Sequence, residues 1–141
     1  MSFSLYVHIP YCRRRCYYCD FNIKITPRMQ EGRYMLALRA ELDAVKREWL
    51  GRLGPLESVY FGGGTPSLFS PSSLETLIQE ARTPFPMSKN AEITVEANPE
   101  DLVEAPEKLP TLLRAGANRV SLGVQSFHDS LLKACGRPHA G

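Results

Sequence analysis

The sequence contains no apolar run approaching the roughly 20 residues that cross a bilayer, so no transmembrane segment is expected. It also lacks an excess of either charge. Lys and Arg total 17, Asp and Glu 15, and the net charge of +2 is too near balance to argue for nucleic acid or an anionic membrane surface. The first ten residues, MSFSLYVHIP, have no basic start and no long apolar stretch. A signal peptide is therefore not expected, and a cytoplasmic location is. Internal repeats and low-complexity tracts are missing. Cysteine is scarce, with four in 141 residues, and three of these fall within eight positions. That is no disulfide framework, and in a reducing compartment these are thiols or metal ligands.

What remains is ordinary in bulk. A 43% apolar content in 141 residues is enough for one compact domain with a real core. Periodicity divides the chain into alternating elements. Strands are expected over 4–9, 57–62, 91–97 and 118–125. Helices are expected over 28–50, 71–82, 105–116 and 128–136, the third interrupted by Pro110 and closed by Gly116. Residues 83–90 read as a loop, and Asn98 to Asp101 as a turn. In the first helix Met35, Leu38, Leu42, Val45 and Trp49 recur at helical spacing. Thr26-Pro27 offers a start, Gly51 a stop, and Ser70 before Pro71 a cap for the second helix. Strands separated by helices predict an α/β fold with a parallel sheet and right-handed crossovers.

The strands are unusual for a closed barrel, whose strands are apolar on both faces. Here one face carries Leu5, Val7, Ile9, Val59, Phe61, Ile93, Val95, Val120, Leu122 and Val124. The other carries Tyr6, His8, Ser58, Tyr60, Gly62, Thr94, Glu96, Asn98, Ser121, Gly123 and Gln125. Burying Glu96 or Gln125 without partners would cost about 2–7 kcal/mol each. A hydrated, ligand-lined concavity is the economical explanation; the alternative is an exposed sheet face, which parallel sheets rarely tolerate.

The chemistry-bearing residues gather where ligands bind in such folds, at the carboxyl ends of the strands. The segment YCRRRCYYCDF follows the first strand, GGGTPS the second, Glu96 ends the third and Gln125 the fourth. Cys12, Cys16 and Cys19 have the spacing C-x₃-C-x₂-C. Three readings are open. Zinc bound by these cysteines and His8 is a known ligand set. Three reduced, metal-free thiols in a loop are another. An iron–sulfur cube held by three thiolates accounts best for there being three, because it leaves one iron free for a non-protein ligand. The glycine turn is not a phosphate loop, since no Lys-Ser/Thr pair follows. Its glycines let backbone approach a ligand closely. Arg13, Arg14 and Arg15 either stabilise an anionic centre and dock an acidic electron donor, or form a solvated loop. Cys135 reads as a small core residue beside Leu131 and Leu132.

C-x₃-C-x₂-C followed by Gly-Gly-Gly-Thr-Pro resembles the radical S-adenosylmethionine superfamily, over essentially the whole chain. The resemblance implies a partial (β/α)₆ barrel, a [4Fe-4S] cluster on Cys12, Cys16 and Cys19, and S-adenosylmethionine chelated to the fourth iron. In that family an electron from the cluster releases a 5′-deoxyadenosyl radical. Carried over by position, Gly63, Gly64 and Thr65 contact the aminocarboxylate and Glu96 the ribose hydroxyls. Tyr6, Tyr18, Gln125 and Arg137 are further contacts. SLYVHIPYCRRRCYYCDF, VYFGGGTPSL, VEANPEDL and RVSLGVQSF…LLKACGRPH together resemble the oxygen-independent coproporphyrinogen III oxidase-like family. Its oxidases carry an extension before the first strand and an additional cysteine two residues after the triad. This sequence has Phe21 there and few residues before its first strand. Both departures resemble the HemW-like, haem-chaperone branch, which implies haem as cargo and a haem-acceptor protein as partner. The decarboxylating oxidase, acting on a porphyrinogen, is the alternative, and a zinc-stabilised binding module the remaining one. Four β/α units do not close a six-stranded arc. Residues 1–141 are therefore expected to be the N-terminal part of a larger core domain, with an unpaired strand edge and marginal stability alone.

Overall fold

The computed structural model describes residues 2–26 and 29–140. A four-stranded sheet of β1 (Phe3–Ile9), β4 (Leu56–Gly63), β5 (Met87–Ala97) and β6 (Arg119–Leu122) forms the centre, in that spatial order. All three pairings are parallel. Between β1 and β4 lie a two-residue pair, β2 (Tyr11–Cys12) and β3 (Lys24–Ile25), and helix α1 (Glu31–Trp49). A short 3-10 turn (Pro66–Leu68) and α2 (Pro71–Arg82) lead to β5, α3 (Pro99–Glu104) and α4 (Lys108–Ala115) lead to β6, and α5 (Asp129–Ala134) follows.

The alternating pattern sets the layers. Val7, Ile9, Val59, Phe61, Ile93 and Val95 point to the helix side and are buried, together with Leu74, Leu77, Ile78 and Ala81 of α2 and Leu112 and Ala115 of α4. At about 25 cal/mol per Å² of apolar surface, each of these large side chains contributes on the order of 1.5–3 kcal/mol. On α1 the predicted stripe holds through Val45. Leu42 is buried, Met35, Leu38 and Val45 pack partly against the core, and Trp49 is left exposed. Ser70 caps α2 as its sequence suggests, its Oγ accepting from the Ser73 amide at 3.3 Å. Gly51 and Gly116 take the left-handed conformations, φ 84° and 108°, that end α1 and α4.

Several boundaries differ from the sequence reading. The third strand begins at Met87, so the expected loop over 83–90 is half strand. Leu56, at the start of β4, pairs with Met87, and tertiary pairing overrides weak local propensity there. The turn expected at Asn98 to Asp101 opens α3, with Pro99 in its first turn. The helix expected over 105–116 starts only at Lys108, which leaves Pro110 in its first turn, where a missing N–H costs nothing. The fourth strand stops at Leu122 rather than reaching Gln125. Val120 and Leu122, on the edge strand β6, were expected under helix cover, yet they are 37% and 45% exposed. The Thr26-Pro27 helix start includes Pro27, which with Arg28 lies outside the described residues. Among the described residues no helix is long and apolar enough to cross a membrane.

Candidate functional site

The carboxyl ends of β4, β5 and β6 and the cysteine loop that follows β1 line a cavity of about 280 Å³. Its walls carry Cys12, Cys16, Cys19, Tyr18, Gly63, Gly64, Thr65, Glu96, Gln125 and Arg137. Nearly every residue singled out in the sequence therefore meets at one place, although they span 126 positions of chain. Tyr6 is the exception. It lies lower on the same sheet face, 56% exposed, with its hydroxyl 3.0 Å from His8 Nδ1 and its ring stacked near Tyr60. It lines no wall of this cavity.

The cysteine loop is built to close on itself. After β1, Pro10 and the β2–β3 pair bracket residues 13–23, and the Lys24 amide donates to Pro10 O at 2.6 Å. Two-residue strands carry no periodicity, so the sequence gives no sign of them. The far side of the loop is tied to the end of the chain. Tyr17 N donates to Cys135 O at 3.3 Å, and Arg137 Nη1 lies 3.5 Å from Cys16 Sγ. Cys12 Sγ is 3.4 Å from the Thr65 hydroxyl. Burial pushes the Cys12 thiol up, and its neighbours Cys19 and Cys16 push the same way, against the Thr65 hydrogen bond and Arg137.

The glycine turn has a more internal purpose than expected. A side chain on Gly63 (φ 109°) would meet the His8 ring at 2.4 Å, and one on Gly64 would meet Tyr11 O at 2.6 Å. The missing Cβ atoms let the turn pack against β1 and the cysteine loop. The Gly64 and Thr65 amides donate to Ile9 O and Tyr11 O at 2.7 and 2.8 Å. Gly63 and Gly64 still line the cavity, but the space they vacate is filled by this chain's own atoms.

Glu96 is held on both oxygens, by the Tyr60 hydroxyl at 2.6 Å and the Gly63 amide at 3.1 Å. Each carboxylate oxygen has a second lone pair, so the group remains an acceptor facing the cavity. Gln125 has φ 69°, the only non-glycine value of this kind among the described residues. A left-handed non-glycine residue costs about 1–3 kcal/mol and is found where a side chain must be re-aimed. Gln125 lies three residues beyond the end of β6, on the cavity wall.

Arg137 is 6% exposed at its side chain. Its Nη2 donates to Asn98 Oδ1 at 2.6 Å and Gly123 O at 2.8 Å, while its Nε is buried with no partner in the protein. Asn98 also donates to the Thr65 hydroxyl at 3.3 Å, so it links two strand ends. Sequence reasoning placed Asn98 on the polar strand face but gave it no role, and it passed over a buried network beneath it. Asp101, 1% exposed, accepts from Ser67 Oγ at 2.7 Å, and Lys108 Nζ donates to Ser67 O at 2.5 Å. Burial pushes the Asp101 carboxyl up. Its Oδ1 has no well-aligned hydrogen bond but lies 3.2 Å from Arg13 Nη2. Arg13 also grips Glu104 through both guanidinium nitrogens, at 3.0 and 2.6 Å. Of the two roles open for the arginine triplet, Arg13 takes neither: it anchors the loop to α3. Glu and Asp just beyond Asn98-Pro99 were the available signal.

Among the described residues, no three His, Cys, Asp or Glu side chains converge as they would around one ion. Both nitrogens of His8 are engaged, Nδ1 with Tyr6 and Nε2 with Asn22 O at 2.9 Å. The zinc set of three cysteines and His8 is therefore not assembled. Thiols spread around a cavity wall, with a buried arginine among them, suit a larger anionic centre.

The fold and this site define a class, and comparison with known proteins bears it out. The model of the radical SAM superfamily matches residues 6–140, and the chain belongs to that superfamily. Members of the superfamily use a [4Fe-4S] cluster and S-adenosylmethionine, and the donor set here fits such a cluster. The chain is 42% identical to the haem chaperone HemW of Escherichia coli (strain K12), over 96% of this chain and 35% of the relative. It is 40% identical to the mouse protein named radical S-adenosyl methionine domain-containing protein 1, mitochondrial, over 97% of this chain and 30% of that one. Among solved structures, coproporphyrinogen III oxidase (HemN) from Escherichia coli, described as a radical SAM enzyme, matches with a TM-score of 0.87. Sequence identity there is 30%, over 98% of this chain and 31% of the oxidase. The chain thus spans about a third of the length of these relatives.

Proposed function

We propose that residues 1–141 are the N-terminal part of the core domain of a haem chaperone, which binds haem and passes it to an acceptor protein. The observation that carries this reading is the 42% identity to the haem chaperone HemW, sustained over 96% of this chain. A second support comes from inside the site. Phe21, where the oxidase pattern has an additional cysteine, is one of the cavity-lining residues.

In this reading Cys12, Cys16 and Cys19 hold the cluster as thiolates, and Gly63, Gly64, Thr65, Glu96, Gln125, Arg137 and Tyr18 hold S-adenosylmethionine. When bound, the cluster supplies an electron and an iron that no side chain of the protein caps. The residues of the chain do the positioning. Thr65 and Arg137 brace two of the three sulfurs. Tyr60 and Gly63 fix the Glu96 carboxylate, so it meets vicinal hydroxyls without rearranging. Haem or a porphyrinogen is the ligand class, an acidic protein reaching the exposed Arg14 and Arg15 is the electron donor, and the cytoplasm is the location.

The runner-up is the oxygen-independent coproporphyrinogen III oxidase, favoured by the fold match to HemN. One experiment separates them. The full-length protein is reconstituted with iron and sulfide under anaerobic conditions, then titrated with haem and, separately, incubated with coproporphyrinogen III, S-adenosylmethionine and a reductant. A brown protein whose broad visible absorption bleaches in air, a Soret change on haem addition and no decarboxylated product are expected. Decarboxylation moves the assignment to the oxidase, and an unchanged Soret band removes the chaperone.

A further inference from the structure

We infer that Arg137, 121 positions away from Cys16 in sequence, sets the electron affinity of the thiolate-held centre, and that the arginine triplet between the cysteines does not. The inference rests on the proposed function, in which the three cysteines carry a cluster. Three thiolates on one centre accumulate negative charge, and a further electron adds to it. A cation or an N–H donor at a ligating sulfur stabilises the reduced state selectively.

Proximity in sequence nominates Arg13, Arg14 and Arg15, and the structure gives each another circumstance. Arg13 faces Glu104 at 2.6 Å and Asp101 at 3.2 Å, and these carboxylates offset its charge. Arg15 is exposed and donates to Cys19 O at 3.1 Å. Arg14 is exposed, where water and salt screen it.

Arg137 differs on every count. Its side chain is 6% exposed, and Nη1 lies 3.5 Å from Cys16 Sγ. Two neutral acceptors, Asn98 Oδ1 and Gly123 O, fix the guanidinium from the other side. Glu100 Oε2 is 3.9 Å away and shared with His139, so the charge is only partly offset. The cation is thus preorganised against one sulfur. Cys12 receives only the neutral Thr65 hydroxyl, at 3.4 Å. The chemistry tested is addition of one electron from a chemical reductant to the cluster, with no bond made or broken.

The test is a redox titration of the reconstituted protein without S-adenosylmethionine, followed by electron paramagnetic resonance after iron and sulfide have been counted. Arg137→Met is expected to lower the midpoint. At a fixed potential the reduced-to-oxidised ratio falls about tenfold, which for one electron is about 59 mV. Arg14→Met and Arg15→Met are expected to move it far less. A full cluster in Arg137→Met with an unchanged midpoint overturns the inference, and so does a shift in Arg14→Met as large as that in Arg137→Met. Should Arg137→Met take up no cluster, Arg137→Gln, which keeps an N–H donor without the charge, supplies the same reading with the same two outcomes. A wild-type protein that takes up no iron and sulfide overturns the proposed function itself, and this inference with it.

Discussion

The two faces of the sheet are made of alternate residues of the same strands, and they behave as different materials. On the helix side Val7, Ile9, Val59, Phe61, Ile93 and Val95 are at most 3% exposed and belong to one apolar core. On the other side Tyr6, His8, Tyr60 and Glu96 engage one another or nearby backbone through directed hydrogen bonds. Tyr6 there is 56% exposed. Packing is tolerant of sequence detail so long as volume and polarity are kept. Directed polar contacts are not, because each depends on one donor meeting one acceptor. Stability should therefore reside on the first face and ligand chemistry on the second.

The largest expected effect is on the chemistry side. Cys16→Ala should abolish cluster assembly, with iron and sulfide near zero after anaerobic reconstitution, while circular dichroism and the unfolding midpoint stay close to wild type. Normal iron content would show that the ligand assignment is wrong. Next comes the packing side. Phe61→Ala leaves a cavity under α2 and should cost about 3–5 kcal/mol, read as a lower denaturant midpoint at unchanged slope. A loss below about 1 kcal/mol would erase the contrast between the faces. Glu96→Ala, back on the open face, should leave the cluster intact and weaken S-adenosylmethionine binding by about 1.5–3 kcal/mol, roughly ten- to a hundredfold. Calorimetry showing wild-type affinity would remove Glu96 from the ribose site.

The smallest effect sharpens the boundary between the two materials. Tyr34 of α1 sits in an aromatic cluster with Tyr11 and Phe69 and donates to His8 O at 2.8 Å. Burial, helped by the nearby Glu41 charge, pushes its phenol from 10.0 to about 12. The folded value exceeds the unfolded one, so this phenol's contribution to stability is complete below pH 10.0. It is lost as pH rises toward about 12. Tyr34→Phe should remove that segment of the pH–stability curve and one late-ionising tyrosine from the ultraviolet titration. Identical titrations for the two proteins would place Tyr34 in contact with water.

Much of this was legible from particular residues. The 2-residue alternation in SLYVHI, ESVYFG and AEITVEA assigned both faces, because successive side chains of a strand point to opposite sides of the sheet. The motif positions at strand ends placed the three cysteines, the glycine turn, Glu96 and Gln125 in one region, and the structure gathers them around one cavity. Other features left no local trace. The pair Tyr11–Cys12 and Lys24–Ile25 is too short for periodicity, and Met87 enters a strand only because Leu56 waits beside it. Asp101 and Lys108 look like ordinary surface charges in sequence, yet 1% and 6% exposures make them an internal strut.

The sequence alone determined the parallel α/β alternation, which strand face is apolar, and the presence of a three-thiol loop, since these depend on residue type and on spacing along the backbone. Only the tertiary structure decided which charges are free. Arg13 is offset by Glu104 and Asp101, while Arg137 is carried to Cys16 by the return of the chain after β6. Charge is a property of a residue, but its effect depends on distance and solvent, and both are fixed only when remote segments meet.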